Sequence, residues 1–345
     1  MATIARAANV SQGAISSLLN DRDYGIRVSE RTRERVFKVC RELGYVPNDL
    51  RAFVRMYPER GDTCLLISTK LQGGLSCPCI ARFAGALLAN VPQPAGNLAI
   101  ALYDENRDYG TDTESHPQPL ANGTASKFIV LGAANDSLFK AIQRREHPLI
   151  LIGHTSLSRG ATSILPDYRA AANLTFAQFV KHGHSKIAIV GGPFGSTEPR
   201  QAQINHAVGE AAKELGIRIE AQDIIQGDLS FDAGVAALDT LLARPSPPTA
   251  IFCLSEAAAC GVATRAQVRG ISIPKQLSIV ALTEHTGTPP APIALTTVTI
   301  PVEEIAELAV KEADRQVRGA IPAEPLRINI GAKLCERDSC GPLQK

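Results

Sequence analysis

Three short segments with a helical spacing of apolar residues open this chain. Their apolar positions are Ala5 and Ala8 in the first, Ile15 with Leu18 or Leu19 in the second, and Val36, Val39, Cys40 and Leu43 in the third. A spacing of three or four residues puts each set on one face of a helix. Because the first segment presents small residues, a second helix can cross it closely. The pattern predicts three helices around one small core.

Capping and turn residues mark the ends of these helices. Asn9 stands at the first turn and is among the residues that tolerate a left-handed backbone. Ser11 and Ser29 are placed to cap the second and third helices, whereas Gly44 and Pro47 suit a helix end. The outward positions of the second helix are then Gln12, Gly13, Ser16 and Ser17. This short polar face carries no charge that would repel phosphate, so it can enter a DNA major groove.

From Thr63 onward, continuous apolar runs alternate with helix-length segments. The runs cover residues 64–67, 98–102, 128–131, 149–152, 187–190, 250–253 and 277–282. Such runs are typical of parallel strands that are covered on both faces. The chain of 345 residues is long enough for a head and more than one further core. The sequence therefore predicts an all-α head followed by an α/β body.

The net charge of +2 is distributed unevenly along the chain. Residues 1–60 hold 11 Lys or Arg and 7 Asp or Glu, a balance of +4, and the remainder holds 25 and 27, a balance of −2. The positive charge lies where contacts to phosphate are expected.

Three blocks within residues 10–20, 28–36 and 42–48 carry a resemblance to a known family. They resemble the DNA-binding domain of the LacI/GalR (lactose repressor/galactose repressor) family of bacterial transcription factors. Four further blocks are similar to the family in the same order, at residues 181–193, 248–252, 295–298 and 337–342. The resemblance covers nearly the whole chain.

The resemblance implies three parts. These are a helix-turn-helix domain at 1–48, a hinge or linker at 49–61, and a two-lobed, periplasmic-binding-protein-like body with mostly parallel sheets at 62–345. We expect lobe 1 at about 62–163 and 300–325, and lobe 2 at about 164–299 and 326–345. Family members carry several residues before the position of Met1, so the first helix looks short; either the true start lies upstream of Met1 or the first helix begins abruptly.

The head supplies candidate contacts to DNA. We expect base contacts from Gln12, Gly13 and Ser17, and backbone contacts from Ser11, Ser16, Asn20, Arg22, Arg27 and Asn48. Glutamine can address adenine with two hydrogen bonds, whereas Ser17 replaces an arginine that many relatives use to read guanine. Arg22 and Arg27 lie in a loop longer than the family norm, and a solvated charged loop is the alternative for them.

The hinge resembles a segment that forms a helix when two subunits meet on DNA and that inserts a leucine into the minor groove. The candidate groove residues here are Leu50, Arg51 and Val54. Val54 matches the inserted leucine, and Arg51 replaces a small alanine. A solvated linker without insertion is the alternative.

The resemblance also implies an effector between the lobes, where the carboxyl ends of strands meet. The candidate cleft residues are Ser76, Leu131, Gly153, Asp167, Gln203, Ser255, Glu256 and Thr283. Gly153, Ser255 and Thr283 replace polar and acidic groups with which relatives bind sugar hydroxyls. Either the effector is different, or there is none.

Other chemistry finds no support in the sequence. Gly183 between His182 and His184 fits a helix C-cap better than a metal site, and Cys77-Pro78-Cys79 is too tight for a usual zinc pair. Phosphate-loop and Gly-x-Ser-x-Gly motifs are absent. We expect no enzyme activity, cofactor or metal, and interpret the eight Cys as small buried hydrophobes in a reducing compartment.

No apolar run approaches the roughly 18 residues that cross a bilayer, and the N-terminus lacks a charged start followed by an apolar core. We expect a cytoplasmic, nucleoid-associated bacterial protein without a membrane partner.

Three functional hypotheses follow from the sequence. The first is a homodimeric repressor that binds a pseudo-palindromic operator and responds to a small molecule, such as a carbohydrate. The second is a DNA-binding regulator whose cleft is empty or closed. The third is a ligand-binding protein whose head no longer reads DNA, a hypothesis motivated by Gly13, Ser17 and Arg51.

Overall fold

The computed structural model describes residues 2–20, 28–43, 45, 50–71, 74–92, 96–191, 199–284 and 291–344. The head contains α1 (Ala2–Ala7), α2 (Gln12–Asn20), α3 (Glu30–Glu42) and α4 (Leu50–Met56). Their shared core consists of Ile4, Ala5, Ala8, Ile15, Leu19, Val36, Phe37, Cys40 and Met56. The three predicted helices are confirmed. Leu43, which we counted with the apolar face of α3, is 51% exposed because it is the C-cap beyond the last helical turn.

Three of the local signals at the helix ends are also confirmed, whereas Gly44 and Pro47 lie outside the described residues. Asn9 has a φ of 50°, in the left-handed region. The Ser11 Oγ accepts a hydrogen bond from the Ala14 N–H at 3.1 Å, and the Ser29 Oγ accepts one from the Thr32 N–H at 3.3 Å. These side chains satisfy amide groups that a helix start leaves without a partner in its own backbone.

The body alternates strands and helices. Its strands are β1 (Asp62–Ser68), β2 (Leu98–Tyr103), β3 (Ala125–Leu131), β4 (Leu149–Ile152), β5 (Ala161–Pro166), β6 (Ile187–Val190), β7 (Ile224–Ile225), β8 (Ala250–Cys253), β9 (Ser278–Thr283), β10 (Thr296–Thr299), β11 (Leu326–Ile330) and β12 (Lys333–Cys335). Its helices are α5 (Pro78–Asn90), α6 (Gln118–Ala121), α7 (Asp136–Gln143), α8 (Tyr168–Lys181), α9 (Pro199–Glu214), α10 (Phe231–Leu242), α11 (Glu256–Val268) and α12 (Val302–Val317). Short 3-10 helices occur at Pro58–Arg60, Gly74–Ser76, Thr113–Ser115 and Ala221–Asp223.

The strands form two six-stranded sheets, one in each lobe. The first has the order β11-β5-β4-β3-β1-β2 and is parallel throughout. The second has the order β12-β10-β9-β8-β6-β7, and only its edge strand β12 is antiparallel. In β1, Leu65 and Ile67 join one apolar cluster while Cys64 and Leu66 join another. Burial on both faces explains why the strand sequences are continuously apolar.

The chain crosses between the lobes at residue 167, between β10 and α12, and between β11 and β12. The first and third crossings fall later than we expected, since we ended the first segment at 163 and placed 326–330 in lobe 2, whereas the crossing between β10 and α12 falls at the expected boundary near residue 300. β5 continues to Pro166, and β11 pairs with it in the register Leu326↔Thr162. The sheet that a short edge strand joins depends on a distant partner, which local sequence does not identify.

The cysteine interpretation holds for five positions and is wrong at others. Cys40, Cys64, Cys253, Cys260 and Cys340 are buried. Cys335 is exposed because it lies on the edge strand β12, and the cysteines flanking Pro78 are half-buried. Within the described ranges, none of the helices is long and apolar enough to cross a membrane.

Candidate DNA-binding head and inter-lobe cleft

The polar side of α2 lies at its amino terminus. Ser11 and Gln12 are exposed, while Ile15 and Leu19 on the other side are buried in the head core. Gly13, Ser16 and Ser17 are half-buried along the same helix. The amino-terminal residues of a recognition helix are the ones that approach base edges in a helix-turn-helix. The geometry therefore offers Gln12 as the most accessible candidate base reader.

Side chains around the start of α2 hold it in place. The Arg35 Nε donates to the Ala8 carbonyl at 2.9 Å, which ties α3 to the turn between α1 and α2. Ser11 accepts the Ala14 N–H and keeps its own hydroxyl proton for a further acceptor. An Oγ that both caps a helix and can donate to phosphate fits the backbone-contact role expected of Ser11.

Exposed cations of the head include two that our sequence analysis did not single out, Arg6 and Arg31. Arg6 ends α1, and Arg31 opens α3. Their neighbours Arg33 and Lys38 face acidic partners, with Arg33 3.2 Å from Glu30. The only sequence signal for these two arginines was the spacing of charged residues along each helix. That spacing does not show which cations can contact DNA.

Several predicted contacts cannot be placed. Arg22, Arg27 and Asn48 lie outside the described residues, as do the side chains of Asn20, Leu50 and Arg51.

Val54 is described, and it is only 4% exposed. α4 contacts α2 and α3. Val54 also packs against Gly61: a Cβ added at Gly61 would lie only 2.9 Å from the Val54 Cγ1. Val54 is therefore covered in this structure, and insertion into a minor groove would require α4 to leave this position.

A cavity of about 550 Å³ lies at the crossing between the lobes. It is lined by Gly153, His154, Thr155, Leu165, Pro166, Asp167, Arg169, Gln203 and Asn329. The Gln203 amide of α9 donates to the Gly153 carbonyl at 2.7 Å, so a side chain of lobe 2 bridges to a strand end of lobe 1. The structure thus brings together three of the predicted cleft residues.

The cavity wall contains both engaged and unengaged polar groups. The Asp167 carboxylate caps α8 by accepting the Ala170 N–H at 2.8 Å. His154 is buried and stacks on Phe139, and burial lowers its pKa, so the ring is held neutral. Its Nε2 has no hydrogen-bond partner among the described groups. A buried nitrogen without a partner costs stability.

A second cavity of about 70 Å³ lies between α5, α11 and the ends of β9 and β10. Its lining includes the predicted residues Glu256 and Thr283. The Thr283 Oγ1 donates a hydrogen bond to the Glu256 Oε2 at 3.0 Å. Glu284 beside them is buried and accepts the Tyr168 hydroxyl at 2.7 Å. Glu284 thus supplies a carboxylate directly beside Thr283, the position at which we expected an acidic group to be missing.

Two guanidinium groups also line this cavity. Arg82 of α5 pairs with Glu303 at the start of α12. Arg337 donates to the Leu295 carbonyl at 2.6 Å and to the Thr297 Oγ1 at 3.0 Å. Carboxylate and guanidinium groups at one site can form the charge-assisted hydrogen bonds that hold polar ligands.

The remaining predicted cleft residues line neither cavity. Ser76 is exposed in a 3-10 helix, and Leu131 is half-buried against the core of lobe 1. Ser255 is an N-cap: its Oγ accepts the Ala258 N–H at 3.0 Å and donates to the Leu229 carbonyl at 2.7 Å. Ser255 was predicted as a cleft residue because it follows a strand. A position after a strand does not distinguish a residue that caps the next helix from one that contacts a ligand.

His154, Arg82, Glu284 and Arg337 line the cavities and were not predicted. His154 and Glu284 each follow a candidate residue at a strand end, so the strand-end rule would have found them. Arg82 and Arg337 reach the cleft from a helix and from the C-terminal segment, which no local pattern indicates.

Comparison with known proteins agrees with this two-part arrangement. Residues 1–48 match the model for bacterial regulatory proteins of the lacI family, and residues 176–340 match the model for a periplasmic binding protein-like domain. The chain belongs to the LacI family.

Full-length relatives of this LacI-family chain are transcriptional regulators. The HTH-type transcriptional regulator DegA of Bacillus subtilis (strain 168) is 27% identical over 350 residues, which cover 99% of this chain and 97% of DegA. The probable HTH-type transcriptional repressor ExuR of the same organism is 24% identical over 309 residues, covering 90% and 89%. The chain is thus a DNA-binding transcriptional regulator and not an enzyme.

A solved structure shows the same fold. The transcriptional regulator CelR in complex with cellobiose superposes with a TM-score of 0.63 at 22% identity, covering 97% of this chain and 98% of that one. The likeness extends over the head and both lobes.

Proposed function

We propose that this LacI-family protein is a cytoplasmic repressor. Two heads, formed by residues 1–48 and joined through 49–61, bind a two-fold symmetric operator, and the body at 62–345 dimerises and binds an effector. The observation that carries the proposal is the capped, polar amino terminus of α2, with Gln12 exposed above a closed three-helix core. One small head makes few contacts, and linking two makes the second binding event intramolecular.

Selection of bound fragments from randomised and genomic DNA, at fixed salt, tests the DNA-binding part. We expect enrichment of one site with two-fold symmetry. Gln12→Ala should relax the preference at one base pair in each half-site, because a bidentate glutamine contact contributes about 1 to 3 kcal/mol of discrimination. The control Gln267→Ala, at an exposed glutamine near the end of α11, should bind the site unchanged. Failure of the wild-type dimer to enrich any site would reject the proposal.

The cleft supports a small, uncharged and hydroxyl-rich effector. The neutral imidazole of His154 and the amides of Gln203 and Asn329 surround the larger cavity, and Glu256 and Glu284 face the smaller one. Such groups bind hydroxyls by donating and accepting hydrogen bonds. The relative CelR was solved with cellobiose, which makes β-linked disaccharides a first choice for testing.

Thermal unfolding of the body in the presence of mono- and disaccharides tests this assignment, because a ligand that binds the folded state raises the unfolding temperature. We expect a stabilising compound whose effect is lost in Gln203→Ala and kept in Gln267→Ala. That compound should also shift operator affinity.

A second candidate function is a regulator that works without an effector. It is favoured by the engagement of Gln203 with Gly153 and of Asp167 with the start of α8, since both groups already have protein partners. If operator binding is specific and no compound from the panel stabilises the body, this second function is the correct one.

A further inference from the structure

Two thiols meet at the start of α5, on the side of lobe 1 that borders the cleft. The Sγ atoms of Cys77 and Cys79 are 3.3 Å apart. Both side chains are half-buried and pack against the apolar core of the lobe. A disulfide has an S–S distance of about 2.0 Å, so closing the pair requires the sulfurs to approach by about 1.3 Å.

The position on the helix favours the reactive form of these thiols. Cys77 is the N-cap of the 13-residue helix α5, with Pro78 at its first position, and its side chain forms no capping hydrogen bond. The amino end of a helix carries partial positive charge and stabilises a thiolate, which is the form that attacks disulfides. Half-burial leaves the pair within reach of a small reagent.

The other cysteines of the body lack this combination. Burial raises the pKa of Cys64 to about 12 and that of Cys340 to about 11, which keeps both as inert thiols. Cys253 and Cys260 are buried in lobe 2. Cys335 is exposed and serves as a single-thiol comparison.

Metal binding explains the pair less well. A structural zinc site takes four ligands, and the described part of the chain contains no group of three or more histidine, cysteine, aspartate or glutamate side chains that could hold a metal ion. The contact between two sulfurs therefore points to chemistry of the sulfurs themselves.

We propose that Cys77 and Cys79 form a redox-active dithiol that a low-molecular-weight disulfide, such as oxidised glutathione, converts to an intramolecular disulfide. A thiolate of the pair attacks one sulfur of the reagent, whose S–S bond breaks and releases one thiolate. The second cysteine then attacks the mixed disulfide and releases the second. The protein dithiol loses two electrons and two protons, and the reagent is reduced to two thiols.

The site stands close to the proposed effector cleft without belonging to its lining. Arg82, one turn further along α5, pairs with Glu303 and lines the smaller cavity. Oxidation of the dithiol would therefore modify the amino terminus of a helix that also contributes Arg82 to the cleft. Its reaction can be measured without knowing the effector or the operator.

The sequence provides a clean assay. Trypsin cleaves after Lys70 and Arg82, and the fragment 71–82 contains both thiols and no other cysteine. Full-length Cys335→Ser protein is treated with oxidised glutathione, and its remaining thiols are alkylated. The protein is then digested with trypsin, and the mass of the fragment is measured by mass spectrometry. We expect a fragment two hydrogen atoms lighter than the reduced form and without an alkyl group, and dithiothreitol should reverse the change. The folded protein should react at least about tenfold faster than a synthetic peptide of residues 71–82, since the fold holds the sulfurs in contact.

Single-cysteine variants provide the control. Cys77→Ser and Cys79→Ser, each in the Cys335→Ser background, should stop at a glutathione adduct on the remaining thiol, because the second attack is impossible. Three results on the parent protein would overturn the proposal: a doubly alkylated fragment, a stable glutathione adduct, or a rate equal to that of the free peptide. These readouts are independent of operator binding, so they separate this proposal from the proposed function.

Discussion

Buried and half-buried histidines connect single residues to the pH response of the fold. His147 lies against Phe128, with 5.5 Å between ring centroids. Burial, and then the nearby Arg145 guanidinium, lower the pKa of His147 to about 4. Burial also lowers the pKa values of His154 and His184. A histidine whose folded-state pKa is below its unfolded value disfavours protonation of the folded protein.

We predict that the free energy of unfolding falls as the pH decreases from about 6.5 towards about 4, because the unfolded chain then binds more protons than the folded one. His147→Gln should reduce the difference in unfolding free energy between pH 7 and pH 5 by about 2 kcal/mol. Urea denaturation at the two pH values measures it. The exposed His206→Gln should leave the difference unchanged. An unaltered pH dependence in His147→Gln would show that His147 is not the titrating group.

Among helices and strands, the tightest contact lies between α10 and α11 in lobe 2. Gly234 of α10 has no room for a side chain, since a Cβ there would overlap the Ala258 carbonyl of α11. A Cβ at Gly261 of α11 would likewise overlap the Phe231 carbonyl of α10. Glycine normally weakens a helix, so its presence at both facing positions reflects the close approach of the two backbones.

Gly234→Ala is expected to lower the free energy of unfolding by about 3 kcal/mol, because the backbone of α11 must shift to admit a methyl group. Gly209→Ala in α9 is a matched control: its Cβ would meet nothing within 4 Å, so the better helix former should stabilise the protein by up to about 1 kcal/mol. Denaturant unfolding of both variants measures the two effects. Equal effects would mean that α10 and α11 are not in such close contact.

For the whole molecule, exposed apolar residues on lobe 1 offer a surface for the proposed dimer. Leu88 of α5 and Ile100 and Leu102 of β2 are exposed, with Leu102 at 61%. β2 is the outer strand of its sheet, and large apolar residues on an exposed edge are typical of interaction surfaces. We infer that this face forms part of the proposed dimer interface.

Leu102→Glu should convert the dimer to monomers and weaken operator binding, since it places a charge in an apolar interface. Sedimentation at several protein concentrations measures the state of association. Leu157→Glu is the control, because Leu157 is also exposed but precedes β5 on the other side of the sheet. Dissociation caused by Leu157→Glu and not by Leu102→Glu would place the interface elsewhere.

Features that depend on near neighbours along the chain could be predicted before the fold was known. The three head helices, the left-handed Asn9 and the caps Ser11 and Ser29 follow from interactions within a few residues. The continuous apolar runs predicted the parallel sheets, because a strand covered on both faces excludes polar residues whatever its neighbours are. The resemblance to the LacI family rested on the same local blocks.

The surroundings of individual residues became known from the fold alone. It placed β11 beside β5, covered Val54, used Ser255 as a helix cap, and brought Arg82 and Arg337 to the cleft. It also joined Gln203 to Gly153 across the two lobes and left the His154 Nε2 without a partner in the cavity wall. Contacts between segments that are distant along the chain depend on how whole elements pack, and no local pattern of residues encodes them.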